Sequence, residues 1–377
     1  MNDSSYFDLD DDIVHLNHAA VAPWPIVTRD TVIAFAEENS RIGSQRYASW
    51  LETEQQLKQK MARLINAESV DEIAVLKNTS EGLSVIAHGL HIEPGENIVV
   101  PDEEFPSNRI VWLALHNKGV EIRLVSVEGS DAPEQTLIDA MDEKTRLLSC
   151  SSVQYAKGLR LDLARLGKAC QRNGTLFCID GIQSLGAIRF DAQAFHADFV
   201  VADGHKWMCA PEGTALFYCR HDKQDQLSLH QHGWHMLQDA FDFSHSHDGV
   251  NIAETAQRFE SGSPNMMGIA ALDASLGLLL DIGLENIERQ VLANTAYLIQ
   301  GLEQIDNIEI LSSTTKGKYA GITTFIRHGV DNVKLYEHLQ ASNVICAHRG
   351  GGIRFSPHFY TEQQRIDRAL ELVEAFT

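Results

Sequence analysis

Two short apolar runs in this sequence each end on groups that can do chemistry. Thr175-Leu-Phe-Cys-Ile-Asp180-Gly-Ile-Gln183 stops at a carboxylate, with a glutamine three residues on. Asp198-Phe-Val-Val-Ala-Asp-Gly-His205-Lys206-Trp207 stops at a His-Lys pair inside a glycine-containing turn. Both runs read as strands, and in an open α/β sheet ligands bind beyond the carboxyl ends of the strands. Asp180, Gln183, His205 and Lys206 are therefore expected around one crevice. A carboxylate there can hold a protonated pyridine nitrogen, and a lysine can form an imine with an aldehyde. These are the two requirements of pyridoxal phosphate chemistry. Asp180 would keep such a ring cationic, where charge develops, and Lys206 as a free amine could move a proton as base and then acid.

The neighbouring elements supply further candidates. Ile73–Leu76 reads as a strand entering a helix whose first turn holds Asn78, Thr79, Ser80 and Glu81. Those side chains can cap the helix, or its free N–H groups can cradle a phosphate. In the loop Asp102–Asn108, Phe105 could lie flat on a planar ligand or pack beneath the loop. Residues 13–20 read as a short strand running into a turn, with Asn17 and His18 as either a cap and a surface histidine or site groups. Near the C-terminal end, His348-Arg349-Gly-Gly-Gly-Ile353-Arg354-Phe-Ser-Pro357 sets Arg354 between apolar neighbours. Such an arginine needs an anion, either a structural carboxylate or that of a substrate. Between residues 221 and 257 the periodicity breaks down, and His230, His232, His235, His245 and His247 gather there with Trp234. Closely spaced imidazoles raise metal binding, but no H-E-x-x-H or Cys/His framework accompanies them. The stretch is read as a polar active-site loop, with no metal expected.

Strand and helix patterns alternate through the middle of the chain. Strands are expected at 97–101, 121–127, 146–153, 176–180, 199–202 and 214–218, and helices at 107–117, 136–143 and 163–172. That alternation implies βαβ units around a largely parallel sheet. Residues 25–65 have helical spacing. A Gly/Ser/Pro turn at 258–265 opens a long helical pattern over 266–304, and short strands and helices follow, as in a small α+β domain. At 377 residues the chain exceeds the size of a single core. Its 52 acidic against 31 basic residues, a net charge of −21, argue against nucleic acid or an anionic membrane as partner. Cys150, Cys170, Cys178, Cys209, Cys219 and Cys346 form no C-x-x-C pair and are read as reduced thiols of a cytoplasmic protein. The acidic first twelve residues lack the order of a signal peptide, and Asp273 and Asp281 interrupt the most apolar helical stretch, so no membrane span is expected. No internal repeat, Walker A or G-x-G-x-x-G occurs.

Together these residues resemble the class V aminotransferase family, fold-type I enzymes that use pyridoxal 5′-phosphate (PLP). The resemblance runs from His15-Leu-Asn-His-Ala-Ala20 to the last helix. Its strongest signature is Asp180-Gly-Ile-Gln183, Asp198 and Gly204-His205-Lys206-Trp207-Met-Cys-Ala-Pro-Glu-Gly213. It implies an N-terminal segment (1–20) near the active site and a large PLP-binding domain (21–262) with a mainly parallel seven-stranded sheet. A linking helix and small C-terminal domain (263–377) complete the expected architecture. It implies that Lys206 is the imine lysine, Asp180 the partner of the ring nitrogen, Gln183 a contact of the ring hydroxyl and Phe105 a stacked ring. Thr79, Ser80 and His205 are implied as phosphate ligands, with Ser263 lent by the other subunit of a homodimer. Arg354 matches the arginine that grips the carboxylate of an amino-acid substrate, with Asn17 and His18 nearby. Gln154 falls where relatives carry an Asn or His near the cofactor. Asp203 stands where many relatives have a serine, and an ionised aspartate there would repel a phosphate. Within the family the segments around Lys206 and Arg354 look most like the isopenicillin N epimerase-like branch, which favours an aminotransferase or epimerase acting at Cα. A cysteine desulfurase or selenocysteine lyase, a C–S lyase, is ranked below it because no cysteine lies between His348 and Arg354. A non-catalytic α/β binding protein is the alternative of a different class.

Overall fold

The computed structural model describes residues 4–242 and 250–377. The chain opens with β1 (Val14–His15), α1 (Ile26–Ile42) and α2 (Tyr47–Ile65). Strands and helices then alternate as β2 (Ile73–Leu76), α3 (Thr79–Gly89), β3 (Asn97–Pro101), α4 (Ser107–Leu113), β4 (Glu121–Val125) and α5 (Pro133–Asp139). They continue as β5 (Thr145–Ser151), α6 (Leu163–Asn173), β6 (Leu176–Asp180), β7 (Phe199–Asp203) and β8 (Ala215–Cys219). The last third holds α7 (Met266–Ile282), α8 (Leu284–Glu303), β9 (Ile308–Ile310), β10 (Thr323–Arg327) and α9 (Asn332–Ala341). β11 (Val344–Ile345), β12 (Ala347–Arg349), β13 (Gly352–Phe355) and α10 (Gln363–Ala375) close it.

β2 to β8 form one seven-stranded sheet in the order β2-β8-β7-β6-β5-β3-β4. β3 to β7 run parallel, and β8 lies antiparallel to both of its neighbours. All five residues of β6 and of β7 are buried, because helices cover both faces of the sheet. Successive side chains alternate between those faces. Ile179 and Val200 join one core with Leu272 and Leu276 of α7, while Cys178, Phe199 and Val201 join the other with Leu83 and Ile86 of α3.

β9, β10, β12 and β13 form a separate four-stranded antiparallel sheet. Leu298 and Leu302 of α8, Leu335 and Leu339 of α9 and Ile366 of α10 pack with Phe325 and Phe355 in its core. The N-terminal segment is stitched to this smaller unit, since β1 pairs in parallel with β11 and Asn17 bridges Ser356. The helical pattern over 266–304 is two helices bent by 84° at Gly283, whose φ of +89° suits glycine. By packing, α7 goes with the large unit that the sequence reading ended at residue 262. The helix expected at 136–143 starts earlier, at Pro133, a residue whose fixed φ suits a first helical turn. Among the described residues no single helix is long and apolar enough to cross a membrane.

The histidine-rich stretch corrects the sequence reading. His245 and His247 lie outside the described residues, and His230 sits beside His88. His235 is buried against Glu54 and Glu260 and serves the core, not the crevice. Those three residues could share a metal by their spacing, but the Lys58 ammonium already lies 2.8 Å from Glu260 and 3.1 Å from Glu54. Glu260 also accepts the Val75 N–H, tying this cluster to β2. Lys58→Met would leave two buried carboxylates without their cation. It is expected to cost about 3–5 kcal/mol, read as a lowered urea midpoint with an unchanged slope.

Candidate active site

The expected crevice lies beyond the carboxyl ends of β6 and β7. β6 ends at Asp180, and β7 ends at Asp203, just before the turn that carries His205 and Lys206. Asp180 is buried and its Oδ1 accepts the Ile182 N–H at 3.0 Å. Burial pushes its carboxyl up to about 6, while that hydrogen bond and Lys206 pull it back. Burial pushes the Lys206 amine down to about 8; Asp180 opposes this, and Arg354 and Arg349 reinforce it. A lysine so shifted has a usable neutral fraction near neutral pH. Its Nζ lies 5.5 Å from the centre of the Phe105 ring, which stands edge-on to Tyr155. Asp180, Lys206 and Phe105 therefore border one space.

The start of α3 forms one end of that space. Asn78 caps the helix by accepting the Glu81 N–H at 2.9 Å. Thr79 Oγ1 accepts the Asp203 N–H at 3.0 Å, which joins the start of α3 to the end of β7 and leaves the hydroxyl proton free to donate. Ser80 donates to Ser107 at 2.7 Å, adding a hydroxyl that sequence reasoning missed. The only available signal was a serine at a helix start two residues after Phe105. Asp203 does not stand bare: its Oδ1 lies 3.1 Å from His205 Nδ1. Both atoms are buried and are off the angle of a hydrogen bond, so each lacks a partner.

Gln183, Gln154 and His18 all hydrogen-bond within the protein, and only His18 has no polar atom left over. Gln183 donates to the Ala19 carbonyl at 3.0 Å and accepts the Trp207 indole N–H at 2.9 Å, leaving one amide N–H. Gln154 donates to the Glu103 carbonyl at 2.8 Å and accepts the N–H groups of Ala156 and Lys157, so it braces the loop that carries Phe105. His18 overturns its expected place at the substrate. It is fully buried, and its Nδ1 donates to the Ser356 carbonyl at 2.8 Å while its Nε2 accepts the Tyr360 hydroxyl at 2.6 Å. Burial, reinforced by His15 and His358, holds its pKa well below the usual value. A neutral, doubly engaged imidazole has nothing left for a ligand. Ser263 is exposed in the turn before α7.

Arg354 is the other feature of this crevice. It is fully buried on β13, donating to the Tyr155 carbonyl at 2.6 Å and to Asn17 Oδ1 at 3.4 Å. Its Nε has no partner, and among the described residues no carboxylate pairs with it. Burial and Arg349 lower its pKa to about 10. A buried cation without a counter-ion and with an orphaned nitrogen fits an anionic ligand from outside the chain. With Lys206, Asp180 and the hydroxyls of α3, the residues present suit an aldehyde-bearing phosphate cofactor and an amino-acid carboxylate.

Comparison with known proteins agrees with that geometry. A model of the Aminotransferase class-V family matches residues 15–368. A probable cysteine desulfurase of Methanothermobacter thermautotrophicus is 31% identical over 96% of this chain and 94% of its own. Among solved structures, the cystine C–S lyase C-DES in complex with its product cysteine persulfide aligns with a TM-score of 0.90 at 22% identity, covering 97% of this chain and 98% of that one. A lysine-to-alanine mutant of C-DES, with glycine covalently linked to its PLP cofactor, aligns at 0.92 and 22% identity over 100% of both chains. At such identities these two structures speak to the fold, which they share with this chain. The family match extends from β1 into α10, and the chain belongs to the class V aminotransferase family of PLP-dependent fold-type I enzymes.

Proposed function

We propose that this protein is a PLP-dependent C–S lyase that breaks the Cβ–S bond of a cysteine-like amino acid and passes the sulfur to no cysteine of its own. The observation that carries the reading is the buried, unpaired Arg354 guanidinium beside an amine of lowered basicity. That pair suits an amino acid held by its carboxylate with Cα next to Lys206. The relative named as a probable cysteine desulfurase and the neighbour named as a cystine C–S lyase favour sulfur chemistry. This reverses the order given by the sequence alone, which put an aminotransferase or epimerase first. All six cysteines are free and buried, and burial pushes the Cys346 thiol up to about 12. A thiol in that state is a poor nucleophile, which argues against an enzyme-bound persulfide.

When bound, the cofactor supplies the aldehyde and the electron sink. Asp180 keeps the ring nitrogen protonated, Phe105 covers the ring, and the remaining N–H of Gln183 serves the ring oxygen. Thr79, Ser80 and His205 hold the phosphate, with Ser263 reaching it from the second subunit of a cytoplasmic homodimer. Arg354, steadied by Asn17, holds the substrate carboxylate. Lys206 removes the Cα proton, the Cβ–S electron pair leaves with sulfur, and hydrolysis of the remainder gives pyruvate and ammonia.

Lys206→Ala should fold normally yet lose the borohydride-reducible adduct and its near-visible absorbance. In cofactor-free wild type, the rate of PLP capture should rise with pH through about 8, because the neutral amine is the reactive form, and not near the ordinary 10.5. Incubation with cysteine is expected to release pyruvate, ammonia and sulfide, and with cystine pyruvate, ammonia and cysteine persulfide; Cys346→Ala should keep that activity. Alanine as product, lost in Cys346→Ala, would show a desulfurase working through its own thiol. A keto acid that retains the sulfur would indicate transamination, and deuterium at Cα without bond cleavage would indicate epimerisation.

A further inference from the structure

Glu104, the residue before Phe105, places a second carboxyl group at the foot of the crevice. It is 6% exposed, and it accepts both the N–H and the hydroxyl of Ser151, each at 2.5 Å. Ser151 is the last residue of β5 and lies opposite Asp180 in the β5–β6 register. Among the described residues no lysine, arginine or histidine pairs with Glu104. The titratable groups that face it are Asp180 and Cys178 from β6 and Cys150 from β5, with Asn108 of α4 as a polar neighbour. Burial drives this carboxyl up to about 7; Ser151 opposes the shift, Asp180 adds to it and Asn108 opposes it. An acid kept in such a place without a cation costs more than an apolar side chain of similar shape would. Its position gives two returns: the loop bearing Phe105 is fastened to the end of β5, and a negative charge becomes available behind Asp180.

We propose that Glu104 is a positioning residue that works through Asp180: when ionised it raises the proton affinity of the Asp180–ring pair and so keeps the cofactor ring cationic to higher pH. The inference rests on Asp180 being the partner of the ring nitrogen. Removing a nearby negative charge favours loss of a proton from a cation. Glu104→Gln should therefore lower the midpoint of the holoenzyme's absorbance–pH titration by about half to one unit. Ser151→Ala removes one donor that favours ionised Glu104, so it should move the midpoint in the same direction by less.

A second readout needs no cofactor. Folded Glu104 keeps its proton to about 7, whereas an unfolded glutamate loses it near 4.5. Wild-type stability should therefore fall as pH rises through that window, and Glu104→Gln should remove that part of the slope. A plain structural brace would share that stability slope but leave the absorbance midpoint unmoved in Glu104→Gln, and an unmoved midpoint would overturn the proposal. Should Glu104→Gln fail to fold, an unmoved midpoint in Ser151→Ala does the same. Asp180→Asn separates the two readings. An unchanged Asp180→Asn spectrum sinks the assignment of Asp180 and this inference with it, whereas a shifted Asp180→Asn spectrum beside an unmoved Glu104→Gln sinks only the inference.

Discussion

The site depends on two buried groups that burial drives toward neutrality and that each favour the other's charge, the Asp180 carboxyl and the Lys206 amine. Such a pair is costly to desolvate, so it persists only where the surrounding fold fixes both partners. Here adjacent parallel strands do so. Asp180 is registered against Val201 on β7, and Lys206 follows three residues after β7 ends. The turn after β6 must also lie directly on the turn after β7. Gly186 permits this, since a Cβ there would come within 2.2 Å of the Trp207 carbonyl oxygen. Trp207 is the hub of the contact: its indole donates to Gln183, its carbonyl accepts from His358, and its ring fills the space that a side chain on Gly321 would occupy. The residue after Lys206 thus ties both strand ends to the smaller unit.

That tie explains why the N-terminal segment and the last third of the chain belong to the site. Arg354 sits on β13 of the small sheet, yet its guanidinium reaches Tyr155 from the large unit and Asn17 from the N-terminal segment. His18 locks that segment in place through Ser356 and Tyr360. An imidazole that looks like a ligand in the sequence is therefore a fastener in the fold.

Local features were legible in the sequence, and features set by tertiary packing were not. The strand runs of β6 and β7 show as unbroken apolar segments because both faces are covered, and Asp180 and Lys206 stand out as the polar groups that stop them. The fate of a polar side chain depends on what packs over it, which residue type alone does not reveal. His18 therefore reads as a ligand although the protein consumes both of its ring nitrogens. Glu104 was hidden for the opposite reason. In Asp102-Glu-Glu-Phe105 it looks like one acid of a solvated loop, and only folding turns it inward onto Ser151. The bend at Gly283 was similarly masked by helical spacing on both sides of it.

The charges around the crevice form a pattern that a sum over residues conceals. The chain as a whole carries a net charge of −21, yet Lys206 feels two arginines, Arg349 and Arg354, and the latter has no acidic partner among the described residues. The acids near it are constrained: Asp180 by burial and the Ile182 N–H, Glu104 by Ser151, and Asp203 by its approach to His205. A buried guanidinium without a counter-ion, as at Arg354, is costly unless an anion completes it. The net charge of the chain and the unpartnered guanidinium of Arg354 are thus separate features, and only the second bears on what the enzyme binds.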